Sequence, residues 1–164
     1  MTTQKEYVDF LTKVAEVTKL DAFVPDKDGL VGLRVEDTYT LNLQHIENPG
    51  KILCFVEVIT LPKDADKIIY RNLLAAGLFG VDTGGGYFAL EPESETVIYN
   101  YLFDFDPATS DPQAFAETLE QILSLVDLWA ARIHENLAEA EDSALDDAVR
   151  FGESQSASSF FINP

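Results

Sequence analysis

The chain has 164 residues, of which 46% are hydrophobic, and a formal net charge of -18. That length fits one domain with a substantial core, and so acidic a surface repels nucleic acid and anionic membranes, so neither is an expected partner. No apolar run approaches the ~20 residues of a membrane span, "MTTQKEYVDF" has neither the basic start nor the apolar core of a secretory signal, and the single Cys54 leaves no internal disulfide, so a cytoplasmic location is expected.

Residues 4–20 predict an amphipathic helix, because Tyr7, Phe10, Leu11, Val14 and Val17 recur at helical spacing with charged residues between them. Pro25 and Gly29 break that pattern. Three strands are predicted next, over 30–35, 38–46 and 51–61, joined by Glu36-Asp37 and by "ENPG". In the second of them Tyr39, Leu41 and Leu43 share one face. Residues 64–79 read as a second helix, followed by strands over 86–92 and 96–105. Asp111 is placed to cap a long third helix that opens on Pro112, where proline's missing N–H costs nothing. The apolar stripe of that helix runs from Phe115 to Leu137. Beyond it the chain turns acidic and then Ser-rich, so the domain is expected to span 1–141 and a flexible tail 142–164. Phe160, Phe161 and Ile162, beyond the tether "ESQSASS", are a candidate for docking back into an apolar groove of this chain or a neighbour. The order α-β-β-β-α-β-β-α, with hairpin-linked strands, predicts an α+β fold with a mostly antiparallel twisted sheet packed with helices.

Few motifs carry chemistry. Gly84, Gly85 and Gly86 follow a helix and open a strand, whereas a phosphate loop follows a strand and opens a helix. The glycines are therefore expected to serve a turn. Asp104, Asp106 and Asp111 resemble the start of a calcium loop, but Thr109 and Phe115 stand where that loop needs glycine and glutamate. Neither His45 nor His134 has a partner at metal-ligand spacing, and Cys54 lies within the apolar run "ILCFV", as a small buried hydrophobe would. What stays unexplained is apolar surface. Residues 51–61 and 96–105 are apolar on both faces, so each face needs covering, by helices or by another chain.

The run "IIYRNLLAAGLFGVDTGGGYFALEPESETVIYNYLFDFD", followed by "DPQAFAETLEQILSLVDLWAARI", resembles the type III secretion chaperones of the Tir chaperone (CesT) family. The shared pattern is a leucine-rich second helix, a short linker, Thr83-Gly84-Gly85 opening a strand, Glu91-Pro92 closing it, a further strand and a long final helix. The likeness is good from about residue 66 to about residue 135. Gly77 stands near a place where many members carry asparagine, and the chain beyond 141 has no family counterpart. The resemblance implies a small acidic homodimer without cofactor, metal or catalysis. Such a chaperone binds the N-terminal segment of a secreted effector without ATP, keeps it non-globular and soluble, and aids its delivery to the secretion apparatus. An extended client needs apolar pockets and strand edges. Phe10, Val14, Leu33, Phe55 and Ile59, on the first helix and first three strands, are the expected effector-binding residues. Leu73, Leu74, Leu78 and Phe79 supply more apolar surface than one sheet needs and are the expected dimer interface. An adaptor or inhibitor that binds a folded partner is the alternative, and a hydrolase with an unrecognised carboxylate or Cys54 site the third reading.

Overall fold

A five-stranded, wholly antiparallel sheet carries three helices on one face. The computed structural model describes residues 1–19, 23–35 and 37–157. Helix α1 is Gln4–Thr18, strands β1, β2 and β3 are Leu30–Val35, Tyr39–Ile46 and Lys51–Thr60, and helix α2 is Lys67–Ala76. A 3-10 turn, Leu78–Gly80, leads to β4, Tyr87–Glu91, then β5, Thr96–Asp104, and α3, Pro112–Ala157. The strand order is β1-β2-β3-β5-β4, so β5 pairs with β3 while β4 forms the far edge. The α+β class and the element order agree with the sequence. The outward placement of β4 does not follow from it, because the short β4–β5 hairpin can lie against β3 by either strand.

Local chemistry sets the helix ends. Thr3 caps α1 in a capping box with Glu6, which satisfies two of the orphan N–H groups of the first turn. Asp66 caps α2, its carboxylate accepting from the Ile68 N–H at 2.8 Å. Asp111 accepts from the Gln113 N–H at 3.0 Å, with Pro112 as the first helical residue. α2 is shorter than its apolar periodicity suggests, because the chain leaves the helix at Gly77 and Phe79 takes a left-handed φ of 58°. α3 is longer. The apolar stripe ends near Leu137, but the helix runs on to Ala157 through residues read from the sequence as a tail. Alanine, leucine and glutamate between 137 and 145 are strong helix formers, so the helix outlasts its buried face. Phe160, Phe161 and Ile162 lie outside the described residues.

The core lies between the sheet and the helices. Leu41, Leu43, Ile52, Cys54, Val56, Val97 and Tyr99 are buried on the helix side, and Tyr7, Leu11, Val14, Ile122, Val126 and Ile133 meet them from α1 and α3. Strand register puts Asn42, Phe55, Asn100 and Tyr87 in one row on the other face, where side chains stay half-buried or exposed. The helices thus cover one face rather than both. At the sheet's end, His45 bridges the Thr2 hydroxyl at 3.0 Å and the Gln4 side chain at 3.2 Å and stacks on Tyr7. This ties the start of α1 to β2.

The glycine run is a packing device. A Cβ on Gly86 would overlap the hydroxyl and ring of Tyr99 and come within 2.5 Å of the Asn100 carbonyl. The Tyr99 hydroxyl donates to the Thr83 carbonyl at 2.7 Å, the Thr83 hydroxyl donates to the Gly86 carbonyl at 2.6 Å, and the Trp129 indole N–H donates to the Asp82 carbonyl at 3.2 Å. Gly85, at φ 91°, lets its N–H reach the Gly80 carbonyl. Loop 80–86 is therefore fixed to both β5 and α3.

Candidate binding surfaces

Besides the uncovered sheet face, two apolar surfaces stand out among the described residues. The first is a groove between the end of α1, edge strand β1 and α3. Val17, Phe23, Leu33, Leu119 and Leu123 line a cavity of about 530 Å³, and Val35, Leu123 and Glu120 continue into a second, of about 460 Å³, beside Tyr39 and Asp127. The groove follows from two periodicities. Leu33 and Val35 point to the helix side of β1 by strand alternation, while Leu119 and Leu123 form one ridge of α3 by helical spacing. Among the described residues no side chain fills the space between them.

One wall of this groove is an unpaired strand edge. Leu30 spends both of its backbone groups on the Asp26 turn, its N–H donating to the Asp26 carboxylate and its carbonyl accepting from the Asp26 N–H. Backbone groups alternate in direction along a strand, so Gly32 and Arg34 also turn theirs away from β2. At Gly32 there is room for a chain to approach, since an added Cβ would meet nothing closer than 3.6 Å. Arg34 is turned back on its own hairpin by Asp37, with Nε to the carboxylate at 3.5 Å and Nη2 to the carbonyl at 2.8 Å. The Tyr39 hydroxyl donates to Asp127 at 3.1 Å, and burial, aided by that carboxylate, raises its pKa.

The second surface surrounds the end of α2. Leu74, Leu78, Phe79 and Val81 are 81%, 64%, 90% and 77% exposed, with Tyr87 and Leu90 of β4 also exposed. An exposed phenylalanine with left-handed backbone is costly twice, in solvated apolar area and in about 1–2 kcal/mol of backbone strain. The anchored loop 80–86 holds it there.

The expected effector-binding residues do not come together. Phe10 and Val14 are buried in the core, Phe10 between Phe105 and Phe115, so neither offers a ligand any surface. Leu33 lies in the groove. Phe55 stands on the opposite face of the sheet, and the bulge between Glu57 and Ile59 places Ile59 opposite Val97, packed against the core. The four residues expected at a dimer interface divide as well: Leu74, Leu78 and Phe79 are exposed while Leu73 turns into the core. Val17, Phe23, Leu119, Leu123 and Asp127 of the groove escape the sequence reading. Their apolar stripes were visible, but not the meeting of β1 with α3.

Reactive chemistry is scarce. Burial pushes the Cys54 thiol up to about 12, which keeps it protonated and unreactive at neutral pH. Among the described residues no group of three or more His, Cys, Asp or Glu could hold a metal ion, and no helix is long and apolar enough to cross a membrane.

The fold recurs in solved structures. The ExsC–ExsE complex contains a chain similar to this one with a TM-score of 0.67 and 17% identity, covering 80% of this chain and 96% of that chain. The HopA1–SchA chaperone–effector complex gives 0.60 and 17%, over 80% and 95%. The Yersinia pestis type III secretion chaperone SycH, in complex with a stable fragment of YscM2, gives 0.59 and 16%, over 73% and 96%. A comparison with curated proteins by sequence finds no match. The Tir chaperone protein (CesT) family matches residues 9–130. With most of its length matched and the same sheet-and-helix order, this chain belongs to the Tir chaperone (CesT) family.

Proposed function

We propose that this protein is a type III secretion chaperone that binds the N-terminal segment of a secreted effector, without ATP or catalysis, and delivers it non-globular to the secretion apparatus. The observation that carries the reading is the groove: apolar cavities run beside a strand edge whose outward backbone groups at Gly32 and Arg34 have no partner among the described residues. An extended client would satisfy those groups as an added strand and seat alternate side chains in the cavities. A similar fold has been solved in a chaperone–effector complex and another in a heterodimeric complex from a type III secretion system, which supports the same role here. The high negative charge keeps such a loaded complex soluble.

The chaperone works as a homodimer in this reading, with the exposed Leu74, Leu78, Phe79 and Val81 closed against a second copy. Patches of this kind on a monomer mark interaction sites, and a stable interface of standard size buries about 1,600 Å² in total. The test is to isolate the full chain with its client, identify that client by mass spectrometry, and digest the complex lightly. A protected N-terminal segment, with no cooperative unfolding of its own, supports the chaperone. A client held through a compact folded domain would mean an adaptor instead.

A further inference from the structure

The two cavities of the groove differ in chemistry, and that difference selects a client. The cavity beside Leu33 is walled mainly by apolar side chains, Val17, Phe23 and Leu119 among them, with Arg34 and the shared Glu120 at its margin. The one beside Val35 contains Tyr39, Glu120, Ser124 and Asp127. Glu120 and Asp127 are seven residues apart on α3, two turns along the same face. Neither carboxylate has an ion-pair partner among the described residues, and Arg34, the basic residue on the rim, is engaged by Asp37. The Tyr39 hydroxyl occupies Oδ1 of Asp127, which fixes the carboxylate and leaves its other oxygen open. The charge complement of this cavity must therefore come from the ligand.

A strand added along the outer edge of β1 keeps the alternation of the sheet. Client residues two apart point to the same side, about 6.6–6.8 Å from one another, as Leu33 and Val35 do on β1. Resting on the proposed client-binding role, we infer that the groove selects a segment with a large apolar residue and a lysine or arginine two positions apart. The apolar side chain enters the cavity at Leu33, and the cation enters the cavity at Val35 between Glu120 and Asp127. The recognised pattern is apolar-x-basic or basic-x-apolar, according to the direction of the added strand.

The test is selection of short random peptides displayed on phage against the full chain and against a Glu120→Gln/Asp127→Asn variant. Asparagine still accepts from the Tyr39 hydroxyl, so the fold is conserved, and circular dichroism checks it. The wild type should enrich peptides with a basic residue two positions from an apolar one. The variant should keep the apolar preference, lose the basic one, and bind a synthetic copy of the best wild-type peptide more weakly at low salt, by up to about fivefold, as for an exposed ion pair lost. High salt should weaken wild-type binding and narrow that gap. Ser124→Lys, which places a cation in the same cavity, should have the variant's selectivity. If the wild type enriches apolar peptides with no basic preference, or the variant keeps that preference, the inference is wrong while the groove still binds clients. If the folded wild type enriches no peptide, both the inference and the client-binding reading fail.

Discussion

Replacing Gly86 with alanine should be among the most damaging single-methyl changes available in this chain. The added Cβ would overlap the Tyr99 hydroxyl and ring, and would sit 2.5 Å from the Asn100 carbonyl. The tyrosine must swing away, which breaks its hydrogen bond to the Thr83 carbonyl; that carbonyl keeps the Gly86 N–H, but the buried tyrosine hydroxyl loses its acceptor, at a cost of about 1–3 kcal/mol. Repacking around the methyl adds about 1–3 kcal/mol, so the total loss is about 2–6 kcal/mol. Tyr99→Phe removes the hydroxyl but neither the ring nor the Asn100 carbonyl, so it should not rescue Gly86→Ala. The pair separates the proposed steric cause from a lost hydrogen bond alone. Urea unfolding followed by the fluorescence of Trp129 is the assay, since its indole bonds to Asp82 in the same loop. A Gly86→Ala protein within about 0.5 kcal/mol of wild type, the usual scatter of neutral surface changes, would refute this account of the glycine run.

Leu74→Arg leaves the core alone, because Leu74 is exposed, and should convert dimers to monomers in analytical ultracentrifugation. A wild-type monomer at micromolar concentration would remove the dimer instead. Leu123→Asp, on the ridge shared by both cavities, should abolish client binding measured by calorimetry while circular dichroism stays native. Cys54 should resist thiol reagents in native buffer and react on denaturation, as its upward shift by burial requires. His45 is held below its ordinary value of 6.5 by burial, against the opposing pull of Glu47 and Glu6. Above the ordinary value both states are neutral and His45 adds no pH dependence. As pH falls below it, the unfolded chain takes up a proton that the folded chain refuses, so stability drops by at most about 1.4 kcal/mol per unit until the lower folded value is passed. Replacing His45 by glutamine should flatten that part of the stability profile.

The sequence made the elements legible and left their neighbours hidden. Strand β1 is read from 30 to 35 and found there, because alternation and turn residues are local signals. Asp111 and Pro112 start α3 as their chemistry requires. Phe10 and Val14 belong to the stripe of α1 and are core rather than ligand contacts, because α3 packs on that helix and nothing local in the sequence announces it. Phe55 and Leu33 both lie on apolar strands, yet the pairing Leu33↔Leu41↔Val56 and the adjacent row through Phe55 put them on opposite faces. The bulge at Glu57 turns Ile59 back toward the helices, and no residue pattern announces it. Leu73 and Leu74 are sequence neighbours that a helix must separate by about 100°, so one is core when the other is exposed.

The length of α3 bears on whether an empty chaperone could shield its own groove. Leu123 lines the groove and Ala157 ends the helix, 34 residues further on. At 1.5 Å per residue that is about 51 Å along a straight helix. Phe160, Phe161 and Ile162 lie outside the described residues. With so long a helix between, shielding by docking in the groove of a second copy would depend on protein concentration, not on tethering. Deleting residues 158–164 separates the cases. Client affinity that changes with deletion, and by more at high protein concentration, means docking between copies. A change of the same size at every concentration would mean that α3 bends back, and no change would leave the segment without a role in client binding.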